Sequence, residues 1–409
     1  MSFIKKSADI TPIVDTVFAV VAQAAEAKKL YGSDAVVDAT IGSLYGEDNK
    51  IVAMKSVFDS FEEIAPELKA KYAGGFKGNE NYRNAVTNWV IGETDLHSTV
   101  IATPGGTGAV NLTIELMLEA GQTLVIPEIA WGSYAVMANN RGINIDKYSM
   151  FEGDHFNIAS FKEVCGRVMN NQKKLVVVIN DPCHNPTGYS MTSDEWEDVI
   201  AYLNELSTIG EVILLNDIAY IDYSYQREKA RDYMNVFNTI SDKVLVVIAF
   251  SCSKTMTSYG LRCGAAVILG KDKKEVQISE DCYAKAARAI WSNINNGAME
   301  NFVQVTTTHY DEFMNEKEGY IQLLKQRSDI VMNEAKECGL DVYPYKEGFF
   351  VTIKMANNEI RDKYHEALIQ NQIFTVKVNL GIRIAICSLS VDKCYGLAKR
   401  MKDILGEVN

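Results

Sequence analysis

The chain has little punctuation. Seven prolines and 27 glycines in 409 residues leave no room for a collagen-like repeat or a proline-rich linker. Its eight cysteines include no CxxC pair. A chain this long can build a core without a disulfide framework, so they read as the reduced thiols of a cytosolic protein. The five histidines occur without HExxH or a Cys/His cluster, which argues against a dedicated metal site. No run approaches about 18 uninterrupted apolar residues. The apolar-rich Val14–Ala27 is broken by Asp15, Gln23 and Glu26 and reads as an amphipathic segment packed on the protein rather than a span or a leader. Positive charge is in deficit too, 41 basic against 53 acidic residues, which disfavours nucleic acid or an acidic membrane as partner.

What is present is ordinary globular composition, 47% hydrophobic and 23% charged, in a length that suits a large domain plus a smaller one. From about residue 98 to 270 short β-rich runs alternate with helical patterns. Candidate strands are Thr99–Ala102, Thr123–Ile126, Leu175–Asn180, Val212–Asn216, Val244–Phe250 and Ala265–Leu269. Several are nearly continuous Val, Ile and Leu, as in strands buried on both faces of a mostly parallel sheet. Thr107–Glu119, Ile158–Asn171 and Ser193–Ser207 read as the intervening helices, which makes the unit an open α/β sheet with right-handed crossovers. After Gly270 long charged helices are expected over Lys271–Ile290 and Glu300–Cys338, then strands at Phe349–Ile353 and Ile382–Ile386 among further helices. This predicts an α/β fold with a large domain over residues 46–300 and a smaller α+β domain over 301–409, the N-terminal segment 1–45 packing with the latter.

Four local patterns carry chemistry. Ser251-Cys252-Ser253-Lys254, with Arg262 eight residues on, lies between two apolar runs. A lysine at the end of a buried strand loses its proton more readily and becomes a nucleophilic amine, as Schiff-base formation with an aldehyde requires. The hydroxyls and the guanidinium suit a phosphate; the same residues also fit a surface loop with a basic residue at each end. Asn180–Gly188, NDPCHNPTG, follows a strand. It is either ordinary turn chemistry or a ligand loop at the carboxyl edge of the sheet. Asp217 in Asn216–Tyr220 emerges from another strand, to cap a turn or to face a ligand cation. Thr103–Ala109, TPGGTGA, joins a strand to a helix, where glycines let backbone N–H groups approach a phosphate. It matches neither GxGxxG nor a Walker A loop.

Taken together and in this order, the patterns resemble the pyridoxal-phosphate (PLP) enzymes of fold type I, class I aminotransferases. SCSKTMTSYGLRCG is similar to that family's cofactor-lysine motif, NDPCHNPTG to its Asn-Pro-Thr-Gly loop, DIAY to its Asp-x-x-Tyr and TPGGTGA to its phosphate turn. Asp38–Tyr45, Tyr72–Tyr82, Arg288–Gly297 and Gly381–Ala385 resemble its aspartate/aromatic subgroup.

The resemblance implies a homodimer with its active site at the subunit interface and pyridoxal 5'-phosphate as cofactor. Lys254 would bind the cofactor aldehyde and shuttle a proton, Asp217 would pair with the ring nitrogen, and Asn185 and Tyr220 would hydrogen-bond the phenolic oxygen. Trp131 would stack on the ring. Gly105, Gly106, Thr107, Ser251, Ser253 and Arg262 would hold the phosphate, helped by Tyr72 of the neighbouring subunit. Arg383 would bind the substrate α-carboxylate with Asn185, Gly42 and Trp131 beside it, and Arg288 would cross the interface to a distal carboxylate. Against the family pattern, Ile294, Asn295 and Asn296 replace a proline pair and a histidine, the Tyr72-to-Gly78 spacing is one residue longer, and Tyr134 stands behind the cofactor aspartate where a histidine is common. The implied activity is cytoplasmic transamination from aspartate or an aromatic amino acid to 2-oxoglutarate by a ping-pong mechanism. A broad aromatic aminotransferase and a PLP-dependent cysteine-conjugate β-lyase are the alternatives.

Overall fold

Strands made of Val, Ile and Leu without polar alternation need apolar cover on both sides. The computed structural model, which describes residues 3–4 and 16–408, supplies it. Seven strands form the main sheet: β1 (His97–Thr103), β2 (Thr123–Pro127), β3 (Asn144–Tyr148), β4 (Lys174–Asn180), β5 (Glu211–Asp217), β6 (Val244–Ser251) and β7 (Gly264–Gly270), in the order β1-β7-β6-β5-β4-β2-β3. Only β7 runs against its neighbours. Alternate residues feed two apolar layers. Leu175, Val177, Leu214, Val246 and Ile248 join one, and Val176, Val178, Leu215, Val247 and Ala249 the other. Each such side chain contributes roughly 1.5–3 kcal/mol when fully buried, so a polar residue is tolerated only where these strands end.

Six strands fall where the sequence places them. The seventh, β3, is an edge strand of sequence NIDKY in which only Tyr148 is buried, and its mixed polarity masks it from a reading based on apolar runs. The expected helix at Ser193 runs to Leu206 and starts at a full capping box between Thr192 and Glu195.

The expected single helix over Glu300–Cys338 is instead two, Asn296–Val305 and Tyr310–Cys338. Thr306 and Thr307 turn their hydroxyls back onto the carbonyls of Phe302 and Val303 at the interruption, a local alternative to continued helix. Gly339, at φ 68°, closes the second helix in the left-handed conformation.

A smaller antiparallel sheet joins β8 (Phe350–Lys354), β9 (Val376–Val378) and β10 (Gly381–Ala385) in the order β8-β10-β9. Its core holds Val351, Ile353, Ile382, Ile384, Tyr364 and Leu368. The helix Thr16–Tyr31 sets Val20, Ala24 and Ala27 against Val36 and Phe374 beside this unit; residues 1–2 and 5–15 of the expected N-terminal segment lie outside the described residues. Residue 300, the expected boundary, sits inside the helix Asn296–Val305, whose Phe302 and Val305 belong to the larger core. Phe313, Ile321 and Leu324 of the next helix belong to it as well, and Val331 and Ala335 to the smaller core. The cores therefore hand over within one continuous helix. No described helix is long and apolar enough to cross a membrane.

Candidate active site

Parallel strands bring their carboxyl ends to one edge. Register sets Asn180 beside Asp217, and Asp217 beside Ala249. The reversed β7 brings its first residue, Gly264, between Ser251 and Thr103. Chain segments far apart in sequence, from Thr103 to Gly264, thus meet around a cavity of about 260 Å³. Trp131, Asn185, Tyr220 and Lys254 line both this cavity and a wider cleft of about 900 Å³ that also reaches Gly42, Phe350 and Arg383.

At one end lies the start of the helix Gly105–Met117, where the first N–H groups have no helical partner. Gly105 has φ +72°, which favours glycine, and a Cβ on it would lie 2.7 Å from Arg262 Nη2 and push that guanidinium aside. Arg262 Nη1 donates to Ser253 Oγ at 3.1 Å and to Tyr259 O at 2.8 Å, and Ser251 Oγ accepts from Ser253 N–H. Gly106, Thr107, Ser251, Ser253 and Arg262 all line the cavity here. Helix N-terminus, hydroxyls and guanidinium make a cradle suited to a phosphate.

Lys254 follows within the short helix Cys252–Thr255. Its Nζ donates to Gly42 O at 3.0 Å and lies 4.7 Å from the centre of the Tyr259 ring and 5.5 Å from that of Tyr220. Burial, with the nearby Arg383 and Arg262 charges, brings its pKa down from 10.5 to about 8, toward the range of a usable base.

Asp217 is buried, which pushes its pKa up; hydrogen bonds from Tyr134 and the Ala219 N–H pull the other way. Tyr134 Oη donates to Asp217 Oδ2 at 2.6 Å and Ala219 N to Oδ1 at 3.1 Å. Asn180 orders the neighbouring loop, donating to Asp217 O at 2.7 Å and accepting from Asn185 N at 2.7 Å. The Asp181–Pro182 and Asn185–Pro186 bonds of that loop are both cis.

Arg383 sits on β10, 8% exposed. It donates to Thr40 O at 2.8 Å and Asn185 Oδ1 at 3.3 Å and stacks over Phe350 at 4.4 Å. Its Nε finds no partner among the described residues. A buried guanidinium held with a donor unfilled is costly and is suited to a carboxylate.

A family model described as aminotransferase class I and II matches residues 35–401. The chain belongs to this aminotransferase family. It is 31% identical to an aminotransferase of Anaerococcus prevotii DSM 20548 whose crystal structure superposes with a TM-score of 0.95 over 98% of this chain and 99% of that one. Among curated relatives it is 23% identical over 260 residues to an aromatic-amino-acid aminotransferase of Paracoccus denitrificans, covering 63% of this chain and 64% of the relative. It is equally similar to an aspartate aminotransferase of Escherichia coli K12, covering 62% and 64%. The matched region is thus just under two thirds of these two relatives' length. The fold is shared with an aromatic-amino-acid aminotransferase from Burkholderia pseudomallei covalently bound to pyridoxal phosphate, at a TM-score of 0.77, 19% identity, and 99% and 100% coverage.

Two expected site residues of this aminotransferase do not reach the cavity within one chain. Tyr72 is 82% exposed and lines a separate surface hollow with Gly74, Gly75 and Asn79. Arg288, in the last turn of Lys273–Ile290, stacks on Phe76 at 4.9 Å and hydrogen-bonds Ser292 Oγ. Asn295 and Asn296 serve structure instead: Asn295 caps the helix Asn296–Val305, and Asn296 Oδ1 accepts from Asn79 at 2.7 Å. Tyr259 and Phe350 were missed. Tyr259 lies between Lys254 and Arg262 in sequence and could have been found there. Phe350 reads only as an apolar strand residue, and nothing local marks it as the floor beneath Arg383.

Proposed function

We propose that this aminotransferase uses pyridoxal 5'-phosphate to move the amino group of aspartate or an aromatic amino acid to 2-oxoglutarate by a ping-pong mechanism, as a homodimer. The observation that carries the reading is the position of Lys254. Its buried amine stands between a phosphate-type cradle and a guanidinium with an unfilled donor, and a carboxylate lines the same cavity.

The residues fit the cofactor. Gly105, Gly106, Thr107, Ser251, Ser253 and Arg262 would hold its phosphate, Trp131 its ring face, Asn185 and Tyr220 its phenolic oxygen, and Asp217 its ring nitrogen. Bound there, the cofactor supplies an aldehyde that captures an amine and a ring that accepts electrons from the substrate Cα. Arg383, with Asn185 and the Gly42 backbone, would fix the α-carboxylate. Lys254 Nζ would take the Cα proton and later return it, a role its lowered pKa suits. Asp217, whose ionised form the Tyr134 and Ala219 hydrogen bonds favour against burial, would keep a proton on the ring nitrogen opposite it.

Tyr72 and Arg288 are exposed on their own chain, and both bear on the same segment, Arg288 through its contact with Phe76. This supports a role for both across an interface between two copies. Arg288 would then select a dicarboxylic substrate, and an aromatic donor is favoured if it does not arrive. The test is the absorbance spectrum of the cofactor-loaded protein with single amino acids and no oxo acid. A shift of the aldehyde-lysine band to the amine form with aspartate or glutamate supports the dicarboxylic donor, and a shift only with tyrosine or phenylalanine the aromatic one. Release of pyruvate from cysteine conjugates instead would replace transamination by β-elimination. Failure to retain added cofactor, or normal turnover in Lys254→Ala, would refute the reading.

A further inference from the structure

A second cavity, of about 350 Å³, lies outside the site described above. It is formed where the helix Glu80–Val90, the 3₁₀ segment Arg227–Thr239 and the first turns of Tyr310–Cys338 meet. Its volume is within the range of small-molecule sites. Trp89, Tyr310 and Met314 give it apolar walls.

Its deep end is charged in an unbalanced way. Asp222 is 5% exposed and fully partnered. Oδ2 accepts from Thr255 Oγ1 at 2.6 Å and Trp89 Nε1 at 3.1 Å, and Oδ1 from Arg231 Nη2 at 2.7 Å. Against this one carboxylate stand two cations. Lys317, also 5% exposed, keeps its Nζ 3.7 Å from Asp222 Oδ1, an ion pair without a hydrogen bond, and 4.8 Å from the centre of the Trp89 ring. Arg231 uses Nε on Trp89 O and Nη2 on Asp222. Neither Lys317 Nζ nor Arg231 Nη1 makes a hydrogen bond to any described residue. At the mouth, Arg227 and Glu318 neutralise each other in a two-bond pair of 2.9 and 2.5 Å. Glu228 stands exposed at the rim, where Tyr310 Oη reaches it at 3.4 Å. The floor thus carries one net positive charge with unfilled donors, under aromatic walls.

The donors that the chain leaves free on Lys317 and Arg231 face the cavity, and a ligand oxygen placed there would take them up with charge-assisted bonds in place of water. We propose that this cavity is a second small-molecule site that takes a monocarboxylate with an aromatic or apolar body, its carboxylate on Lys317 and Arg231 and its body against Trp89, Tyr310 and Met314. A dicarboxylate is disfavoured because its second charge would lie on apolar walls below Glu228. The site uses no residue assigned to transamination.

The probe is 3-phenylpropionate, titrated calorimetrically into cofactor-loaded protein carrying Arg383→Leu, so that the active-site arginine cannot hold it. One equivalent is expected to bind, with 3-phenylpropanamide failing to compete. Adding Lys317→Met should weaken binding about tenfold to a hundredfold, the effect of losing one charge-assisted bond. If Lys317→Met does not fold, Asn88→Trp serves in its place. Asn88 is exposed at the cavity edge, so the indole should obstruct entry at an unchanged melting temperature. Absence of binding up to about 10 mM, or affinity unaltered by both substitutions, overturns the proposal.

Discussion

Tyr134→Phe removes one hydroxyl and nothing else, and its consequence can be worked through. The phenol donates to Asp217 Oδ2 at 2.6 Å in a site where both residues are buried. Burial raises the Asp217 pKa and the tyrosine is the first of the groups that oppose it. A hydrogen bond to a charged group contributes about 1.5–3 kcal/mol and one between neutral groups about 0.5–1.5. The phenol therefore favours the ionised carboxylate by about 1–1.5 kcal/mol, close to one pH unit in its titration. A carboxyl whose folded-state pKa is raised adds to stability fully below its unfolded value, and that contribution is lost as pH rises through the folded value. In the phenylalanine variant the loss continues to higher pH. Its stability deficit relative to the parent should therefore grow with pH by about 1–1.5 kcal/mol. Urea midpoints of both cofactor-free proteins, measured from roughly pH 5 to pH 9 so as to cross the raised carboxyl range, give the result. A deficit constant in pH, or one that narrows, would refute the assignment of Tyr134 as a group that favours the ionised form of Asp217.

Three further outcomes are expected. Lys254→Met should abolish turnover yet stabilise the cofactor-free protein at pH 7 by up to about 3 kcal/mol. The amine's folded-state pKa falls from 10.5 to about 8, so charging it weakens the fold as pH drops through that value; the advantage should close near pH 10.5 in urea melts, and a pH-independent difference would count against it. Arg383→Leu should raise KM for the amino donor about a hundredfold through loss of a paired charge-assisted bond; an unaltered KM would remove Arg383 from substrate binding. Gly105→Ala places a Cβ 2.7 Å from Arg262 Nη2 at a φ of +72°. It should loosen cofactor binding by about tenfold or more for a strain of roughly 1–3 kcal/mol, checked by equilibrium dialysis, and unchanged retention would mean the cradle is elsewhere.

The chemistry-bearing residues were legible where one segment carries a whole function. Lys254 and Arg262 share a single motif, and Asp217 and Asn185 each follow a strand whose apolar run is unmistakable. The inner strands were readable because both their faces are buried. β3 was not, since an edge strand keeps Asn144, Asp146 and Lys147 toward solvent. Pairings between distant segments left no local trace: Tyr134 meets Asp217 across 83 residues, and Phe350 is recognisable as a platform for Arg383 only once β8 and β10 are paired. The break at Thr306 and Thr307 depends on hydroxyl rotamers, which a 3.6-residue periodicity cannot reveal.

The 29-residue helix Tyr310–Cys338 is a beam about 43 Å long with its two ends embedded in different cores. At its waist, between Leu324 and Val331, Arg327 is 0% exposed and fans out to Cys387 O at 3.1 Å, Tyr45 O at 2.9 Å and Glu47 Oε1 at 2.6 Å. That guanidinium ties the helix to two distant segments at once, the stretch holding Tyr45 and Glu47 that follows Gly42 of the cleft, and Cys387 just past β10. One buried charge thus anchors the chain after β10 and the chain after Gly42 to the same point on the helix. Arg383 is carried on β10, shortly before Cys387, so its guanidinium is referenced to that shared anchor rather than to a free loop.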